Sequence, residues 1–107
     1  MKRGEVWWVN FGRSVGGEVK KIRPAVIVSN SASNTFMNRV QVIPLTSNVD
    51  RLYPSEASVQ FEGKQGKAMA DQMATVSKQR LVRRAGTLKS EEMEKVADAI
   101  RVQLDLS

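Results

Sequence analysis

At 107 residues the chain is the size of one domain, expected to span 1–107, and such a domain buries roughly 65% of the surface its unfolded chain exposes. It has no cysteine and no histidine. That excludes disulfides, thiolate nucleophiles and Cys-containing zinc sites, and it removes the commonest general acid–base and the commonest metal ligand. The net charge of +6 and a pI near 10.1 favour an anionic partner.

The start Met1-Lys2-Arg3-Gly4-Glu5 has no apolar core of a signal peptide. No run approaches the ~18 apolar residues that span a membrane. The expectation is a soluble cytoplasmic protein of ordinary globular composition, 41% hydrophobic and 26% charged. The charge is uneven: residues 1–47 hold seven basic against two acidic side chains, whereas residues 89–107 hold three against five. A phosphate-binding face is therefore expected from the first half.

In chain order, Val6-Trp7-Trp8-Val9 with Phe11 predicts a strand rich in aromatic and β-branched residues. Two adjacent tryptophans in a strand point to opposite faces, one to the core and the other to a dimer interface ahead of a base-stacking role. Residues 12–21 hold three glycines and read as a basic loop. Residues 24–29 form a near-continuous apolar run, a strand buried on both faces. Residues 30–34 read as a turn cluster.

Residues 39–46 predict a third strand, in which Pro44 cannot donate to a ladder and belongs at an edge or bulge. Residues 48–54 read as loop, Ala57 to Phe61 as a half-buried strand, and 62–66 as a turn. Lys67 to Val76 predicts a further strand and Leu81 to Leu88 a last short one. Ser90 to Leu104 predicts a helix, with Ser90 as N-cap and Glu91 and Glu92 at the positive end of the dipole. Its apolar stripe is Met93, Val96, Ala97, Ile100 and Leu104. Short strands followed by a helix give an α+β fold: a small, curled, partly closed antiparallel barrel with a C-terminal helix.

Arg23 opens one predicted strand and Thr46-Ser47-Asn48 closes another. If the two pair antiparallel, the start of one lies beside the end of the other and Arg23 neighbours Thr46. The arginine fork can hold two phosphate oxygens and stays protonated. The threonine hydroxyl can hydrogen-bond a phosphate or a developing oxyanion. A solvated strand-end arginine and a β-branched strand residue are the plain alternatives.

Four segments, in order and over nearly the whole chain, resemble the MazF/PemK family of toxin–antitoxin ribonucleases. They are Arg3-Gly4-Glu5-Val6-Trp7, Arg23-Pro24-Ala25-Val26-Ile27-Val28-Ser29-Asn30, Pro44-Leu45-Thr46-Ser47, and the stretch from Asp71 to Leu81. The resemblance implies an SH3-like barrel of the CcdB/MazF type and a homodimer. It implies sequence-selective, metal-independent cleavage of single-stranded RNA, with no cofactor, and neutralisation by a cognate antitoxin whose tail occupies the RNA groove. Messenger RNA is the first expected target, with ribosomal or transfer RNA as alternatives.

By the same resemblance Arg23 and Thr46 are catalytic partners, and Glu18, five positions before Arg23, is the general base; a solvated loop acid is the competing reading of Glu18. Phosphate contacts are expected from Arg13, Lys20 and Lys21. Base-edge contacts are expected from Ser14, Asn30, Ser47, Asn48 and Gln72, and stacking from Phe11 or Phe36. Each of these, taken singly, also reads as a turn, cap or core residue. The Leu104-Asp105-Leu106 end is a candidate part of the dimer interface. Two further readings stand beside this one. A CcdB-type gyrase poison would share the fold, but such toxins use a C-terminal tryptophan, and this chain ends Asp105-Leu106-Ser107. A non-catalytic RNA-binding module would bind RNA without cutting it.

Overall fold

The computed structural model describes residues 1–12 and 22–107. Seven strands are described: β1 Glu5–Asn10, β2 Ile22–Ile27, β3 Arg39–Thr46, β4 Glu56–Phe61, β5 Lys64–Met69, β6 Ala74–Ser77 and β7 Leu81–Thr87. Helix α1, Ser31–Phe36, lies between β2 and β3, and helix α2, Ser90–Gln103, follows β7. All pairings are antiparallel, in the order β4-β5-β3-β2-β1-β7, with β6 also on β3. The result is a curled half-barrel sheet with a C-terminal helix, the expected α+β architecture.

β3 is the fork of this sheet. One side carries β2 from Val42 to Pro44; the other carries β6 at Arg39–Val42 and β5 at Leu45–Thr46. Pro44 sits in the changeover between β6 and β5. The backbone of Gln41 faces β2, since its carbonyl accepts from Val28 N–H at 2.9 Å. Alternation along the strand then turns Pro44 toward the other side, where the ladder has a gap and no N–H is needed. Proline was expected at an edge or bulge; it stands instead in a buried position of a central strand, because the strand changes partners there.

The apolar run of β2 supplies both faces. Val26 and Val28 join a cluster with Val6, Ile43, Leu45, Val59, Leu88, Val96 and Ala99, under α2. Ala25 and Ile27 join a second cluster with Val9, Val40, Val42 and Val76. Strand periodicity of two is the cause. The double burial of residues 24–29 is borne out from Ala25 to Val28, all of them buried.

Five local expectations are corrected. The 30–34 cluster starts a helix: Asn30 Oδ1 accepts from Ser33 N–H at 2.7 Å and caps α1. The 67–76 stretch is two strands broken by a 3-10 turn at Ala70–Gln72. The β4–β5 turn is only Glu62-Gly63, with positive φ at both residues (49° and 74°), as a two-residue hairpin of primed type requires. At α2, Lys89 rather than Ser90 holds the cap position, and its N–H donates to Glu92 Oε1 at 2.9 Å. The other Glu92 oxygen accepts from Gln60 N–H at 2.5 Å and ties the helix to β4. Leu104 of the expected stripe is 53% exposed, so the buried face of α2 ends near Ile100.

A candidate RNA-binding and catalytic cleft

β2 and β3 pair from Ile27/Val42 to Ala25/Pro44. Continued by two residues, that register sets Arg23 opposite Thr46, as the sequence suggested. The β2–β3 pairing stops before that point, while on their other edges Arg23 stays paired with Val9 of β1 and Thr46 with Lys67 of β5. Between the diverging strand ends lies a cavity of about 380 Å³. Arg23, Pro24 and Ile22 line one wall, Leu45, Thr46 and Ser47 another, and Trp8, Val59, Phe61, Glu62, Lys64, Gln65 and Gly66 complete it.

Within this cavity Arg23 Nε is buried and has no hydrogen-bond partner among the described residues. A buried donor left unmet costs about 1–3 kcal/mol, so such a group calls for an acceptor. Thr46 Oγ accepts from Asn48 N–H at 3.2 Å. That contact orients the hydroxyl oxygen and leaves its own hydrogen available. Asn48 Oδ1 in turn accepts from Asp50 N–H at 3.2 Å, which folds the chain back directly after Thr46.

Trp8 was expected at a partner interface or in the core; it lines the cavity. Its ring meets Phe61 edge-on, with centroids 6.1 Å apart at 64°, and the Arg83 guanidinium lies 5.3 Å from the Trp8 centroid. Trp8 Nε1, like Arg23 Nε, is buried without a partner among the described residues. Its neighbour Trp7 lies on the other face, against the second core cluster, and donates to Glu5 Oε1 at 3.0 Å. The opposite orientation of the pair was legible in the sequence; which ring met the cleft was not, since Phe61 and Arg83 come from distant strands.

Glu5 is the one described group with a resolved shift. Burial alone would raise its pKa, but the Trp7 indole, the Lys2 backbone, the N-terminal ammonium and Arg84 outweigh burial and hold it below the usual value. Arg84 Nε stands 3.6 Å from Glu5 Oε2.

The remaining expected site residues divide. Ser47 lines the cavity, and Asn48 follows it on the exposed loop. Asn30 spends its side chain on the α1 cap. Phe11 packs with Leu81 and Ala74 on the second core cluster, and Gln72 lines a separate hollow with Tyr53 and Val102. None of these three lines the Arg23–Thr46 cavity. Phe36 is 86% exposed at the end of α1. Arg13, Ser14, Glu18, Lys20 and Lys21 lie outside the described residues. No cluster of three or more acidic side chains that could hold a metal ion occurs among the described residues, and no helix there is long and apolar enough to cross a membrane.

Comparison with known proteins places this geometry. The family described as PemK-like, MazF-like toxin of type II toxin–antitoxin system matches residues 2–104. Endoribonuclease MazF9 of Mycobacterium tuberculosis is 35% identical over 115 residues, covering 99% of this chain and 98% of that protein. Endoribonuclease EndoA of Bacillus subtilis is 28% identical over 112 residues, covering 99% and 96%. Among solved structures, a mycobacterial endoribonuclease in complex with its cognate antitoxin superposes with a TM-score of 0.84 at 26% identity, covering 100% of this chain and 97% of that one. MazF from Deinococcus radiodurans has the same fold, with a TM-score of 0.84 at 24% identity over 98% and 96% of the two chains. With a half-barrel sheet of this topology and a family match across nearly its whole length, the chain belongs to the PemK-like, MazF-like toxins of type II toxin–antitoxin systems.

Proposed function

We propose that this chain, an endoribonuclease by family, cleaves single-stranded RNA in the cleft between Arg23 and Thr46 by attack of the ribose 2′-OH on the adjacent phosphodiester. The observation that carries this reading is that Arg23, whose Nε has no partner among the described residues, and Thr46 line one cavity at facing strand ends. The 2′-oxygen forms a bond to phosphorus while its proton leaves to a carboxylate, the role assigned to Glu18. The bond from phosphorus to the 5′-oxygen breaks, and that oxygen takes up a proton. The products are a 2′,3′-cyclic phosphate and a 5′-OH.

Arg23 offsets the extra negative charge of the five-coordinate phosphorus and donates toward the leaving oxygen. Thr46 hydrogen-bonds a phosphoryl oxygen. Trp8 and Phe61, with Arg83 alongside, form an apolar platform against which an unstacked base can rest. DNA, lacking the 2′-OH, binds without reacting. The biological consequence is loss of translatable RNA and arrest of growth. A cognate antitoxin with an acidic tail would suit this basic chain and block the cleft; one structural relative is an endoribonuclease in complex with its cognate antitoxin. The active species is read as a cytoplasmic homodimer.

Incubation with a long RNA of known sequence in EDTA tests the reading. The expected result is discrete fragments with cyclic phosphate ends, absent for folded Arg23→Ala and strongly reduced for Thr46→Ala. RNA left intact by the wild type, or cut equally well by Arg23→Ala, overturns it; DNA breakage dependent on gyrase would then point to the CcdB-type reading.

A further inference from the structure

The loop from Ser47 to Ser55 leaves the cleft at Thr46 and returns as β4, and a buried ion pair holds it down. Lys67 and Glu56 side chains are only 10% and 8% exposed, with Nζ to Oε1 at 2.9 Å. Lys67 Nζ also donates to the Arg51 carbonyl at 2.6 Å. Glu56 Oε1 also accepts from Tyr53 N–H at 2.9 Å. The Tyr53 ring centroid lies 5.8 Å from Lys67 Nζ and 5.8 Å from the Arg51 guanidinium carbon, and Arg51 donates to the Tyr53 hydroxyl at 3.2 Å. The loop backbone is therefore tied at two successive points to a charge pair bridging β4 and β5.

The same β5 segment supports Thr46. Lys67 pairs with Thr46 across the ladder. Gly66 lies so close beneath it that a Cβ there would stand 2.9 Å from the Thr46 carbonyl oxygen. Burying a lysine and a glutamate costs several kcal/mol per ion before their attraction is counted, and an apolar pair of similar volume often stabilises as well. The charges supply what an apolar pair cannot: directed hydrogen bonds to backbone groups of the loop.

We infer that the Lys67–Glu56 ion pair is a positioning device for the cleft, fixing the loop after Thr46 so that Ser47 and Asn48 present a defined surface to the RNA. This rests on the proposed endoribonuclease reading of the Arg23–Thr46 cleft. Neither side chain lines the cavity, so the pair acts through the loop and sets which sequences are held, while Arg23 performs the chemistry.

The test compares wild type and Lys67→Met on a long RNA in EDTA, mapping every cut, with kcat and KM then measured on an oligonucleotide carrying the wild type's preferred site. The expected outcome is a KM raised about tenfold or more, kcat changed far less, additional cut sites, and unchanged end chemistry. Removing one member leaves an unpaired buried charge, which can unfold the protein. The double variant Lys67→Met/Glu56→Gln keeps an acceptor for Tyr53 N–H without that charge, and it should show the same broadened cutting. A folded variant that cuts only the wild-type sites with unchanged kcat and KM overturns the positioning role alone. A wild type that leaves RNA intact overturns the functional reading on which it rests.

Discussion

The two ends of the β2–β3 pair are built from the same strands and serve opposite ends. At the closed end Ala25, Val26 and Ile27 face Val42, Ile43 and Pro44 in register, and the apolar residues are fully buried. At the open end Arg23 and Thr46 are half-exposed, and a cavity fills the space where pairing has stopped. The closed end is held by burial, about 1.5–3 kcal/mol for each large aliphatic side chain. The open end gives up ladder bonds between β2 and β3, and what it gains is a concave surface with an arginine donor unmet among the described residues. Stability and binding capacity thus lie a few residues apart on the same two strands, and substitutions should separate them.

The largest effect is expected at the closed end. Ile27→Ala removes a side chain of zero exposure from the second core cluster and should cost about 2–5 kcal/mol of unfolding free energy. Urea denaturation measures this, and activity well below the unfolding midpoint should stay close to wild type. Arg23→Ala should do the reverse: a loss of about 10²–10³ in kcat, by analogy with loss of an oxyanion donor, with the urea midpoint little moved. Equal losses of stability and activity in either variant would break the contrast.

Trp8→Ala probes the boundary between the two ends. If the ring is a base platform, removing it should weaken RNA binding by about 1–3 kcal/mol. An uncleavable RNA, with deoxyribose at the cut position, reads this by titration; unchanged affinity would return Trp8 to a purely structural part. The smallest effect concerns Glu5, on the far side of β1 from the cleft. Its pKa is lowered in the folded state, so its contribution to stability is complete above the unfolded carboxylate value near 4.3. That contribution is lost as pH falls through the lowered folded value. Wild type should therefore exceed Glu5→Gln in stability by a constant margin at pH 6–8, and the margin should close in acid unfolding experiments below about pH 4.

Much of this was legible in the residues themselves. The alternation of two made β2 a strand with both faces buried, and the spacing of Met93, Val96 and Ile100 marked α2. Arg23 and Thr46 could be set opposite each other before any coordinates, because an antiparallel pair maps the start of one strand onto the end of the next. Where the expectations failed, a distant group decided. Pro44 was tolerated in mid-strand because β3 exchanges β6 for β5 at that residue. Asn30 and Phe11 were as good candidates for RNA contact as Ser47 on chemistry alone; a helix cap claimed one and the second core cluster the other. Trp8 entered the cleft because Phe61 and Arg83 meet it there.

The sequence alone determined the period of each apolar pattern, the absence of thiol and imidazole chemistry, the excess of positive charge in the first half, and the facing positions of Arg23 and Thr46 in an antiparallel β2–β3 register. These depend on side-chain type and on spacing within one or two neighbouring strands, which are local properties. Only the tertiary structure decided that β2 and β3 part company at Ala25 and Pro44, that the gap becomes a cavity, and that Lys67 of β5 holds the loop beyond it. Those outcomes depend on which strands flank β2 and β3 on their outer edges, and on a lysine, a glutamate and a loop carbonyl brought together from positions 11 to 16 residues apart in the chain.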